Sequence, residues 1–106
     1  MTNSKPRSVE LLWFQDCPNH EDARRLLNQV IAEVAPGSRV ADIEVTDPMV
    51  AERLRFPGSP TIRVDGRDVD PRFTDPDDYS PRCRVYWTSS GLRGLPEREW
   101  IEAALR

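Results

Sequence analysis

The sequence predicts one α/β domain, a four-stranded mixed sheet flanked by helices in the order β-α-β-α-β-β-α. Three observations carry this expectation. Residues 8–14 hold Val9, Leu11, Leu12, Trp13 and Phe14 in an apolar run, the pattern of a strand buried on both faces. From His20 to Val34 the apolar side chains recur at Ala23, Leu26, Leu27, Val30, Ile31 and Val34, the stripe of an amphipathic helix. Thr61 to Val64 is β-prone and runs into Asp65-Gly66, a favoured dipeptide for a two-residue hairpin turn.

The remaining elements follow in order. Residues 1–7 are polar and read as a disordered tail, which leaves 8–106 as the domain. Pro36-Gly37 ends the first helix, and residues 39–46 carry Val40, Ile43 and Val45 as a second strand. Strand, helix and strand joined by short loops predict a right-handed βαβ unit. Asp47 as N-cap and Pro48 in the first helical position begin a short helix to about Arg55. After the break at residues 56–60 come the third strand and its hairpin partner, residues 67–70. Residues 71–81 are rich in Pro and Asp and read as a surface excursion. Residues 82–87 alternate and predict an extra extended segment, with Cys83, Val85 and Trp87 on one side and Arg82, Arg84 and Tyr86 on the other. Residues 88–94 read as a loop. Pro96 opens a last helix that buries Trp100, Ile101, Ala104 and Leu105. Trp13, Trp87 and Trp100 all read as core residues rather than ligand contacts.

Charge and composition narrow the function. The chain has 106 residues and a net charge of −3, so no excess of positive charge is present to meet nucleic-acid phosphates. No apolar run is long enough to span a bilayer, and residues 1–7 lack the apolar core of a secretory leader. These features predict a cytoplasmic protein without nucleic-acid or membrane partners. In a reducing compartment two cysteines more often remain thiols than form a structural disulfide. Asp70, Asp75, Asp77 and Asp78 lack the glycine and terminal glutamate of an EF-hand, and read as a solvated loop.

Cys17 is the candidate for chemistry. Proline suits the first helical position, where its missing N–H has no intrahelical partner. Pro18 there would put Cys17 at the N-cap, where the positive end of the helix dipole favours a thiolate. Cys17 would then attack disulfides, peroxides or electrophiles; otherwise it is an N-cap thiol without a reaction. His20, at the third helical position, would stabilise that thiolate as a cation or take the thiol proton as a base; otherwise it is an exposed helix residue. Cys83 reads first as a small core residue, given its alternation with Val85 and Trp87, and second as a resolving thiol near Cys17. Cys17, His20 and Cys83 include soft ligands, but no further Cys or His exists to complete a four-ligand zinc site. A two-thiolate ion such as mercuric ion remains conceivable, and no metal is expected.

The element order, Cys17-Pro18-Asn19-His20 before the first helix and Ser59-Pro60-Thr61 before the third strand together resemble the thioredoxin superfamily, over roughly residues 8–105. The run from Pro60 to Gly66 is especially similar to a glutaredoxin third strand and hairpin. The resemblance implies a cis bond at Pro60 and a substrate groove formed by Pro18, Ser59, Pro60 and Thr61. In that groove the Ser59 backbone would pair with an extended peptide or with glutathione. The second cysteine of the family's CxxC motif is replaced by His20, which implies a one-cysteine cycle completed by glutathione or another thiol. The function expected is thiol-dependent redox or thiol transfer through Cys17, on a disulfide or small electrophile that could belong to a protein. The alternatives are a non-catalytic binding module and a soft-metal thiol protein. The extended segment at 82–87 could pair with its own copy, so a monomer or weak homodimer is expected.

Overall fold

Both layers of the molecule are built on β1 (Ser8–Trp13). Its side chains alternate, so Val9 and Leu11 enter one apolar cluster and Leu12 enters a second on the other face. The computed structural model describes residues 5–106. The expected tail at residues 1–7 therefore lies outside the described residues over its first four positions. Arg7 is anchored: its main-chain N–H donates to Ser38 Oγ at 2.8 Å, and its guanidinium donates to Asp65 at 2.9 Å.

β1 pairs in parallel with β2 (Arg39–Glu44) and antiparallel with β3 (Thr61–Val64), while β4 (Arg67–Asp68) continues the sheet outside β3. The strand order is β2-β1-β3-β4. Asp65 and Gly66 take φ of 51° and 83°, so the turn is of the type in which both central residues are left-handed. α1 (His20–Val34) and α3 (Arg98–Leu105) cover one face of the sheet, with Leu27, Val30 and Ile101 packed against Leu11 and Ile62. On the opposite face, α2 (Pro48–Arg53) contributes Ala51 to a smaller cluster with Leu12, Val45 and Phe56. Asp47 caps α2, accepting from the Val50 N–H at 2.9 Å. α2 stops short of Arg55, which has φ of 52°. Arg63 donates to the carbonyls of Leu54 and Arg55 there, satisfying acceptors the helix leaves open. No helix among the described residues is long and apolar enough to cross a membrane.

The structure corrects the reading of residues 82–94. Tyr86–Thr88 (β5) pairs with Gly91–Arg93 (β6), so a separate two-stranded hairpin replaces the expected loop after residue 87. The buried side is also the reverse of the one expected. Cys83 is exposed, and Val85 and Trp87 are 65% and 64% exposed, whereas Tyr86 is buried. Trp87 is thus not a core residue. The inversion follows from polar satisfaction across the fold. Arg84 turns inward because Asp68 accepts two of its hydrogen bonds, at 2.7 and 3.0 Å, and Thr61 Oγ1 accepts a third. Tyr86 donates its hydroxyl to the Pro60 carbonyl, and burial holds that phenol protonated well above its usual range.

Gly58 allows this segment to approach. Its φ is +138°, and a Cβ built there would stand 2.7 Å from Arg84 Cβ and 3.2 Å from the Cys83 carbonyl oxygen. Gly58→Ala is therefore expected to cost about 2 kcal/mol or more, through backbone strain and overpacking together. Urea denaturation measures the loss. Gly66→Ala, whose added Cβ would meet nothing within 4 Å, isolates the cost of positive φ alone.

Candidate functional site: two thiols beside Ser59

The turn from β1 into α1 sets the position of Cys17. Its N–H donates to the Phe14 carbonyl at 3.0 Å, closing a tight turn ahead of the helix. The N-cap is Asn19, without a side-chain capping bond, and His20 is the first helical residue. Cys17 is therefore two residues ahead of the N-cap, Pro18 lies in the turn, and His20 is not at the third helical position. These corrections share one cause. His20 Nδ1 donates to the Cys17 carbonyl at 2.8 Å, so the side chain of the first helical residue reaches back and holds the turn outside the helix.

That bond also defines what His20 does. A carbonyl only accepts, so the Nδ1 position carries the proton. The ring stacks on Trp13 at 4.5 Å between centroids and 16° between planes, and Nε2 lies 3.8 Å from a Glu21 carboxylate oxygen. The imidazole thus steadies the Cys17 main chain, and its hydrogen bond goes to that carbonyl instead of to the sulfur. Around the stack, Trp13 Nε1 and Arg24 both donate to Asp42. The Arg24 hydrogen bond, aided by Trp13, holds the Asp42 carboxyl below its ordinary value against the opposing effect of partial burial.

The Cys17 sulfur points the other way, across to the strand before β3. Its thiol donates to the Ser59 carbonyl at 3.3 Å, and the residue is fully buried. The Ser59–Pro60 bond is cis. Ser59 uses both main-chain groups on one segment: its N–H donates to the Arg82 carbonyl at 2.8 Å, and its carbonyl accepts from the Arg84 N–H at 2.9 Å. Cys83 lies between them, in a parallel bridge with Ser59. The Ser59 edge expected to receive a peptide or glutathione is therefore filled by the protein's own residues 82–84. The observation on which a peptide-binding module would rest is lost with it. Thr61 Oγ1, also assigned to the groove, donates to the Gly58 carbonyl and accepts from Arg84.

The same bridge brings both cysteines to Ser59. The Cys83 thiol is pushed up from its ordinary pKa first by its hydrogen bond with the Cys17 side chain, then by burial, and further by negative charge on Cys17 and Asp16. A raised folded-state value means that the stabilising contribution of Cys83 is complete below the ordinary thiol range and fades as pH rises through the raised value. In Cys17→Ala the first cause is removed, so alkylation of Cys83 followed against pH is expected to move to lower pH. An unchanged midpoint would separate the two side chains.

Other parts of the surface are less suited to thiol chemistry. A cleft of about 590 Å³ between α3 and the β3–β4 hairpin is lined by Arg7, Asp65, Arg67 and Trp100, away from both cysteines. Among the described residues, no three His, Cys, Asp or Glu side chains converge as a metal-holding group. The chain matches no protein-family model, no curated protein and no solved structure. Sequence reasoning missed Asp68, Arg84 and Tyr86 as the groups that seat residues 82–84. Nothing local to that stretch announces them, since their partners lie 16 to 26 positions away.

Proposed function

We propose that this is a thioredoxin-like protein carrying out thiol–disulfide exchange with Cys17 and Cys83 as its redox pair. The observation that carries the reading is the Ser59–Cys83 bridge, with the Cys17 thiol on the Ser59 carbonyl, which brings two free cysteines to the same residue. The strand order β2-β1-β3-β4, with α1 following β1 through the turn that holds Cys17, supports the family reading. Cys83 supplies the second thiol that the turn itself lacks, so the one-cysteine cycle expected from His20 gives way to a two-cysteine cycle. In it the protein dithiol passes two electrons to an external disulfide. One S–S bond forms between Cys17 and Cys83, one external S–S bond breaks, and two external thiols are released. A small thiol such as glutathione, in a reducing cytoplasm, would return the protein to the dithiol.

The test is catalysed reduction of hydroxyethyl disulfide by dithiothreitol. The wild type is expected to accelerate it, and both Cys17→Ser and Cys83→Ser to abolish the acceleration. Full activity in Cys83→Ser would restore a one-cysteine cycle. No acceleration by the wild type would remove the enzymatic reading.

A further inference from the structure

Thiol exchange proceeds by attack along the line of the S–S bond, so which sulfur reacts depends on access as well as on ionisation. The two thiols differ sharply in access. Cys17 is fully buried, while Cys83 is exposed. Residues 82–84 are fixed over the Ser59 edge by both Ser59 main-chain hydrogen bonds and by the Arg84–Asp68 pair. We infer that Cys83, and not Cys17, is the sulfur on which external disulfides and thiols react, with Cys17 acting only on Cys83 from within.

This assignment rests on the exchange reading above and reverses the roles that the turn before α1 suggests. Cys83 attacks one sulfur of an external disulfide. A bond forms between Cys83 and that sulfur, the external S–S bond breaks, and the first thiolate leaves and takes up a proton. Cys17 then gives up its proton, which passes to the second external sulfur as that leaves, and the Cys17 thiolate attacks the Cys83 sulfur. The internal disulfide forms, and the second external thiolate departs from Cys83. In the return direction an external thiolate attacks Cys83 of the internal disulfide and expels Cys17, and a second external thiol completes the reduction, leaving as the external disulfide. Cys83 is exposed, so its proton passes to solvent as it attacks. A thiolate of higher pKa is also the stronger nucleophile once formed. Residues 82–84 therefore deliver the reacting sulfur to the site, and Arg84 is a positioning residue that fixes it there.

The experiment treats native Cys17→Ser and Cys83→Ser with hydroxyethyl disulfide and follows the adduct by intact mass. Cys17→Ser is expected to accumulate a mixed disulfide on Cys83. Cys83→Ser should react at least about tenfold more slowly, because a fully buried thiol waits for local opening; in denaturant the two variants should react alike. The wild type provides a measurement that depends on no substitution: brief iodoacetamide treatment, read by peptide mass, should label Cys83 before Cys17. Faster modification of Cys17 in either experiment would overturn the assignment. If the wild type forms an internal disulfide while Cys83→Ser is the variant that traps an adduct, the exchange reading stands and the order of roles fails. If the wild type forms no internal disulfide and both variants accumulate adducts, the exchange reading itself fails.

Discussion

Arg84→Ala is expected to destabilise the protein by about 3–5 kcal/mol, the cost of leaving one partner of a buried ion pair behind. The Arg84 and Asp68 side chains are 9% and 4% exposed, and the guanidinium makes two hydrogen bonds to the carboxylate. Arg84 also lies 4.3 Å from the Tyr86 ring centroid and 5.2 Å from that of Phe73, so its removal loses packing as well as charge. Removing both charges at once, as Arg84→Met with Asp68→Leu, is expected to cost less than Arg84→Ala alone, because the buried Asp68 carboxylate is no longer stranded. Urea denaturation of the two variants tests the order. Equal losses would mean that the charge pair contributes nothing specific. Because the Arg84 side chain ties residues 82–84 to Thr61 and Asp68, Arg84→Ala should release that segment more often and expose Cys17 to alkylation.

Oxidation is expected to stabilise the wild type by about 4 kcal/mol. The loop closed between Cys17 and Cys83 takes in more than half of the chain, and cross-linking so long a loop removes much of the conformational freedom of the unfolded state. Strain in the native geometry would subtract from this value. Urea titrations of the oxidised and dithiothreitol-reduced wild type measure the difference, and Cys83→Ser should show none. An oxidised wild type no more stable than the reduced form would mean that the bond does not close this loop.

Local chemistry made much of the fold legible. The 3.6-residue stripe marked α1 over His20–Val34, and Asp65-Gly66 marked the β3–β4 turn, because each element is determined by side chains within a few positions. Asp47-Pro48 announced α2 for the same reason. Cys17 and Ser59 stand out in the sequence through their neighbouring prolines. Their meeting across the sheet does not, because it depends on the register of β1 against β3. The clearest misreading concerns residues 82–87. A period-two pattern with Val85 and Trp87 on one side ordinarily marks that side as buried. Here Asp68, Pro60 and Thr61 offer acceptors to Arg84 and Tyr86, so the polar side is buried and Cys83 is turned outward. The helix start was misplaced for a smaller reason: His20 Nδ1 takes the Cys17 carbonyl and holds Pro18 outside α1.

Peptide mapping of the wild type after mild oxidation and quenching of free thiols decides whether the two cysteines form a redox pair. The expected result is a peptide pair joined by a Cys17–Cys83 disulfide, formed at low protein concentration and reversed by dithiothreitol. Recovery of both cysteines as alkylated free thiols, or only as cross-links between separate molecules, would contradict the pair and the exchange chemistry built on it.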